Sequence, residues 1–308
     1  MTSHAKVIDL SLFFNEFDLL ELRLKTLYDV VDHFVVVEST ETFSGKPKPL
    51  LLGQNLQRFR EYFGKLYYFP LTPEDASHRA PKEYQEYSTR KTLRLKHKHG
   101  GKPPWQLHSS CMREIRQRDA AIIPLSSIAS DDDLILLSDA DEIASPSIIA
   151  DLKKIGNLSP RYLSMQWYIY HWNNKALENW LGTVAFSFNQ LKGHSLDQLR
   201  YSSCDQRNAP GPIVMNGGWH FSYFGGADAI SAKLEAITYQ GLRATLTTLA
   251  ARHRPQLLKK AVYSNNDILF QGRQFKRVPV DNSFPTALLE DPILIERYLA
   301  PAPENGLD

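Results

Sequence analysis

Two aspartates stand one residue apart, Asp139 and Asp141, just past the unbroken apolar run Leu134-Ile135-Leu136-Leu137. Carboxylates at that spacing can offer oxygens to one hard cation, and Mg²⁺ or Mn²⁺ prefers such ligands together with phosphate oxygens. A cation held in this way neutralises a diphosphate as it leaves. The same pair also reads as an acidic loop that keeps a strand end soluble and feeds the next helix. Spacing alone leaves both readings open.

The pair needs elements to position it. Val7 to Phe14 is apolar and β-rich and ends on Asn15 and Glu16. From Asp18 to Val31 apolar residues recur at helical spacing, with Asp18 placed to cap the start. His33 to Glu38 gives a second strand whose Phe34-Val35-Val36-Val37 is continuously apolar, as in a parallel sheet covered on both faces. A helix around Asn55 to Phe63 and a third strand, Lys65 to Phe69, stopped by Pro70, follow. A helix from about Gln106 to Ile122 precedes the Leu134–Leu137 strand, and Ser145-Pro146 opens another. Alternating strands and helices predict an α/β fold with a mostly parallel central sheet flanked by helices. Ligands bind such sheets at the carboxyl ends of strands, where Asp139 and Asp141 sit. Beyond Tyr162 the sequence turns aromatic, with Trp167, Tyr168, Tyr170, His171, Trp172 and Trp180, then Trp219, Phe221, Tyr223 and Phe224.

The whole chain of 308 residues, 43% hydrophobic and 23% charged, can bury a full-sized core. We read 1–299 as one domain with a basic excursion at about 72–104, and 300–308 as a polar tail. A formal charge of +2 argues against a nucleic-acid partner on charge grounds. Two cysteines, Cys111 and Cys204, make neither a disulfide framework nor a paired-cysteine zinc site. The expectation is a soluble, cytoplasmic chain without a signal peptide or a transmembrane segment.

Four stretches carry a resemblance to a known family: "FFNEFDLLELRLKTLYDVVDHFVVVESTETFSGKPKPL" from Phe13 to Leu50, "LILLSDADEIASP" from Leu134 to Pro146, "GGWHFSYFGG" from Gly217 to Gly226, and "RVPVDNSFP" from Arg277 to Pro285. In this order they resemble glycosyltransferase family 17, the β-1,4-mannosyl-glycoprotein N-acetylglucosaminyltransferases. The first block is long and specific, whereas the acidic motif by itself is not. The resemblance implies a GT-A fold, a nucleotide-sugar donor such as UDP-N-acetylglucosamine, Mn²⁺ or Mg²⁺, a DxD motif, and inversion at the anomeric carbon. Animal members carry a membrane anchor and act on N-glycans; this sequence shows neither the anchor nor their cysteines, which points to another mannose-containing, glycan or glycolipid acceptor.

Carried onto this sequence, the family pattern makes Asp141 a direct metal ligand and gives Asp139 a supporting place at the metal or the donor ribose. His220, after two glycines, is a third ligand or else a hydrogen-bonded core histidine. An inverting transfer needs one base. Asp228, ahead of a helical pattern from Ala229 to Ile237, is the first choice, with Glu142 and Glu178 in reserve; a plain N-cap is the other reading of Asp228. Asn15, Glu16, Glu38 and Ser39 lie where such a fold meets its nucleotide, or are ordinary polar punctuation at strand ends. Lys46 and Lys48, in a loop stiffened by prolines, face phosphate or solvent, and Arg118 and Asp119 reach the nucleotide or form a surface ion pair. The basic run Arg90, Lys91, Arg94, Lys96, Lys98 and Lys102 reads as a solvated helix face or as a site for an anionic acceptor. Trp167, Trp172 and Trp180 stack on sugar rings or build core. Two further functions stay open: a metal-dependent nucleotidyltransferase or pyrophosphohydrolase, against which the missing P-loop argues, and a non-catalytic glycan-binding protein.

Overall fold

The computed structural model describes residues 5–78, 109–192, 194–203, 211–236 and 273–300. The basic run Arg90 to Lys102, Cys204 and the tail 301–308 lie outside the described residues. In chain order the first elements are β1 (Val7–Phe13), α1 (Phe17–Leu27), β2 (His33–Ser39), α2 (Leu51–Gln54), a 3₁₀ segment (Leu56–Tyr62), β3 (Leu66–Leu71) and α3 (Pro73–His78). Then come α4 (Ser109–Ala120), α5 (Ile122–Ile128), β4 (Leu134–Asp139), β5 (Glu142–Ala144), α6 (Pro146–Lys153), β6 (Arg161–Ile169), β7 (Asn174–Ala176) and β8 (Trp180–Ser187). The last are α7 (Leu196–Ser203), β9 (Ile213–Val214), β10 (Gly218–Ser222), α8 (Gly226–Ala236), β11 (Phe275–Arg277), α9 (Thr286–Leu289) and α10 (Pro292–Arg297).

The strands form one sheet in the order β11-β7-β6-β8-β4-β1-β2-β3. β10 pairs with β5 and β6, and β9 pairs with β6. The expected α/β architecture is present, and β3, β2, β1 and β4 are parallel as the continuous apolar runs require. The other half is mixed, with β9 and β10 parallel to β6. β8 runs antiparallel to both β4 and β6, and β7 runs antiparallel to β6. The reason is the length of the connections: β6, β7 and β8 follow one another too closely for a helical crossover, so the chain turns back on itself.

Alternation along β1, β2 and β4 divides the core into two layers. Phe34, Val36, Leu134 and Leu136 pack with Leu20, Leu24 and Leu27 of α1 on one face. Val35, Val37, Ile135 and Leu137 pack with Ile122 and Leu125 of α5 on the other. Two local expectations change. Asp18 does not cap α1; it sits in the first turn and receives Arg58, Arg297 and Tyr298 instead. Pro70 does not end β3, which continues to Leu71 with Pro70 opposite Glu38. An outermost strand tolerates proline because one side of its backbone needs no donor.

Candidate active site

The strict alternation of β4 decides which way each residue at its end points. Ser138 falls on the α1 face with Leu134 and Leu136. Asp139 falls on the opposite face with Ile135 and Leu137. On that face two helices bring arginines. Arg200 of α7 holds Asp139 Oδ2 at 2.9 Å, and Arg118 of α4 lies 3.5 Å from Oδ1. Arg118 is itself anchored by Asp197 at 2.9 Å and Glu114 at 3.1 Å. Burial alone would raise the Asp139 pKa, but the two guanidinium groups hold it below the ordinary value.

Asp141 follows the turn and is 5% exposed. Its Oδ2 accepts from Lys233 of α8 at 2.7 Å, and its Oδ1 lies 3.5 Å from His220 Nε2 on β10. Burial opposes ionisation here too, but Lys233 and His220 keep the carboxyl well below the usual range. Lys233 also reaches Glu16, at the end of β1, at 2.9 Å. His220 hydrogen-bonds Ser222 Oγ at 2.8 Å and stacks on Trp167 with centroids 5.9 Å apart. Two positive-φ glycines, Gly225 and Gly226, form the sharp turn that leads from β10 into α8 and so sets where Lys233 arrives.

Glu142 is fully buried beneath the turn. It receives the Trp180 indole at 2.6 Å, the amide of Asp139 at 3.3 Å, and Arg200. Its pKa is raised, chiefly by burial. A carboxylate with no exposed surface and three donors already on it is an anchor for the turn, not a group that reaches an acceptor.

Under the turn lies Arg23 of α1, with no exposed surface. Its guanidinium is bidentate to Asp9 of β1 and donates to Ser138 Oγ and to the carbonyls of Asp139 and Glu142. The backbone on both sides of the acidic motif is therefore held from below by one buried side chain.

Of the residues expected from sequence, the fold brings together Glu16, Arg118, Asp139, Asp141, Glu142 and His220. The rest lie differently. Asn15 contributes its backbone amide to Glu16 at 3.0 Å. Glu38 is fully buried, and its oxygens accept from the amides of Leu52 and Gly53, from Tyr68 and from Lys48. Glu38 and Lys48 thus serve the N-terminus of α2. Ser39 Oγ accepts from the amide of Glu41, Lys46 pairs with Glu235 on α8, and Asp119 receives the amide of Asp197. Asp228 is exposed on the first turn of α8, five residues before Lys233, and so roughly 140° away around the helix. Glu178 is exposed between β7 and β8. Trp172 is fully buried against Phe221 and Phe224, so it builds core, while Trp167 and Trp180 flank His220.

Four contributors escape a reading by motif: Arg200, Lys233, Arg23 and Asp9. Arg200 and Lys233 carry no local signal. Arg23 and Asp9 carry one, since each is a charge inside an otherwise apolar pattern, and charges are almost never fully buried unless paired.

Among the described residues no group of three or more histidine, cysteine, aspartate or glutamate side chains is arranged to hold a metal. Asp141 with His220 and Asp139 nonetheless has the donor chemistry of a hard divalent cation that takes one or two carboxylates and completes its shell with phosphate and water. The Lys233 ammonium stands on one oxygen of Asp141, where a cation would sit. A carboxylate and an imidazole at this place are donor types that suit a divalent cation completed by phosphate and water. No helix among the described residues is long and apolar enough to cross a membrane.

Comparison with known proteins bears on the first of the four motif blocks. No curated protein matches the chain. A crystal structure of M. tuberculosis glucosyl-3-phosphoglycerate synthase aligns over 92% of each chain at 12% identity with a TM-score of 0.32, too loose a superposition to bear on the site. Residues 1–101, which supply β1, α1, β2 and β3 and with them Glu16 and Arg23, match the model of glycosyltransferase family 17, the family that the chain's motifs resemble.

Proposed function

We propose that the protein is an inverting, metal-dependent glycosyltransferase that moves N-acetylglucosamine from UDP-N-acetylglucosamine to a hydroxyl of a mannose-containing or other glycan acceptor. The family match over residues 1–101 supports glycosyl transfer. One observation carries the reading of the site: two ion-pair groups, Asp139 with Arg118 and Arg200, and Asp141 with Lys233 and Glu16, lie at the carboxyl ends of β1 and β4. That end of a parallel sheet is where ligands bind.

The cluster combines acids that hold a cation with bases that hold a diphosphate, which is the pairing a sugar nucleotide needs. Asp141 and His220 would hold the divalent cation, with Asp139 in support; when bound, it neutralises charge on the leaving diphosphate. Arg118 and Arg200, both buried, fix Asp139 in that place. Trp167 and Trp180, beside His220, supply apolar faces for a sugar ring. In the transfer the acceptor oxygen bonds to the anomeric carbon as the carbon–oxygen bond to diphosphate breaks. The diphosphate leaves with the electron pair, and the acceptor proton passes to a carboxylate base. Asp228 is the base in this reading, because it is open to solvent whereas Glu142 is buried, although it lies about 140° around α8 from Lys233.

The test is calorimetric titration of UDP-N-acetylglucosamine with and without Mn²⁺, on the wild type and on Asp141→Asn. Binding that requires Mn²⁺ and is lost in the variant is expected. Absence of binding by either UDP-N-acetylglucosamine or UDP with the metal present would remove the donor assignment.

A further inference from the structure

The two oxygens of Asp141 are divided between two positive partners. Oδ1 lies 3.5 Å from His220 Nε2 and Oδ2 lies 2.7 Å from Lys233 Nζ. A divalent cation shared by Asp141 and His220 therefore meets an ammonium already in contact with the same carboxylate. Two like charges on one buried carboxylate repel strongly in a poorly solvated site, so both cannot keep their positions.

The structure also shows where the ammonium can go. Lys233 is bonded at the same time to Glu16 at 2.9 Å, and it lies 5.8 Å from the centre of the Tyr223 ring. Its side chain is 22% exposed, against 9% for Glu16 and 6% for Asp141, so the lysine is the member of the trio with room to move. If it leaves Asp141 it is not left as an unpaired buried charge, because Glu16 retains it.

Resting on the donor-site reading above, we propose that Lys233 is an internal occupant of the cation position at Asp141: a divalent cation binds by displacing the ammonium from Asp141 onto Glu16. Lys233 keeps the buried Asp141 compensated while the site is empty of metal. It also sets the metal affinity, since each binding event must first break this contact.

The two acceptors of Lys233 predict opposite effects. Mn²⁺ alone is titrated calorimetrically into the full-length wild type, Lys233→Gln, Glu16→Gln and Asp141→Asn. Lys233→Gln, which removes the competing charge and retains a hydrogen-bond donor, should bind Mn²⁺ about tenfold or more tightly, as expected when a charged hydrogen bond no longer has to be broken. Glu16→Gln should bind several-fold more weakly, because the displaced ammonium loses its resting acceptor. Equal or weaker binding by Lys233→Gln, or unchanged binding by Glu16→Gln, with Asp141→Asn still abolishing it, overturns the displacement and leaves the cation site standing. Binding that survives in Asp141→Asn, or that is absent from both the wild type and Lys233→Gln, removes the cation site and the displacement together.

Discussion

At the scale of the residue, the acidic motif works through partners that sequence spacing does not name. Asp139, Asp141 and Glu142 are three carboxylates within four residues, and Arg200, Arg118 and Lys233 keep them apart in behaviour. Asp139 and Asp141 are held ionised by direct ion pairs, while Glu142, more deeply buried, is pushed towards protonation. Arg200 serves two of the three. Replacing it by methionine removes a side chain that is 3% exposed and leaves Glu142 buried without its cation. Breaking a buried pair in this way costs about 3 kcal/mol, at the low end of the usual range because Glu142 can take up a proton instead. Denaturant unfolding of Arg200→Met should show a loss of this size, with a midpoint shift and an unchanged slope.

At the scale of the element, α1 is the support of the site. Its apolar stripe packs on the sheet, and one charged residue interrupts that stripe to reach Asp9 and the carbonyls of Asp139 and Glu142. Stability and site geometry can be separated here. Arg23→Met alone leaves Asp9 as an uncompensated buried charge and should destabilise by about 3–5 kcal/mol. Adding Asp9→Leu replaces the pair by apolar groups and should restore much of the stability. It cannot restore the hold on the two carbonyls. The double variant should therefore melt close to the wild type yet bind UDP-N-acetylglucosamine with Mn²⁺ at least about tenfold more weakly. Wild-type affinity in the double variant would show that α1 only packs and does not position the turn. The buried pair was legible as an anomaly in each of two apolar patterns, but nothing in either segment says that the two charges meet.

At the scale of the whole molecule, the first helix also ties the chain's end to its beginning. Asp18 accepts from Arg58 in the 3₁₀ segment and from Arg297 and Tyr298 at the end of α10. Burial would raise its pKa, yet these three donors hold it below the ordinary carboxylate value. A carboxyl with a lower pKa in the folded than in the unfolded chain contributes stability that is present above the unfolded value and is lost as pH falls through the folded one. Unfolding free energy should therefore drop as pH is lowered from about 4. Asp18→Asn should lose about 1 kcal/mol at neutral pH, a modest figure because both arginines are partly exposed, and its stability should fall less steeply below pH 4. A profile for Asp18→Asn that runs parallel to the wild type would show that Asp18 is not the group responsible.

The parallel half of the sheet was legible in the sequence, because a strand segment covered on both faces must be continuously apolar, as Phe34–Val37 of β2 and Leu134–Leu137 of β4 are. The sequence also determined where the acidic motif lies, since a polar cluster after such a run has only the strand end to occupy. The specific block from Phe13 to Leu50 pointed to glycosyltransferase family 17 by resemblance. Glu38 shows the limit of the same logic: it too follows an apolar run, yet it turns inward to the N-terminus of α2, a choice that depends on an element more than ten residues away. The mixed half of the sheet and the partners of the carboxylates were settled by tertiary contacts. Arg23, Arg118, Arg200 and Lys233 come from four different helices, and long-range ion pairs leave no periodic trace in the segments that form them.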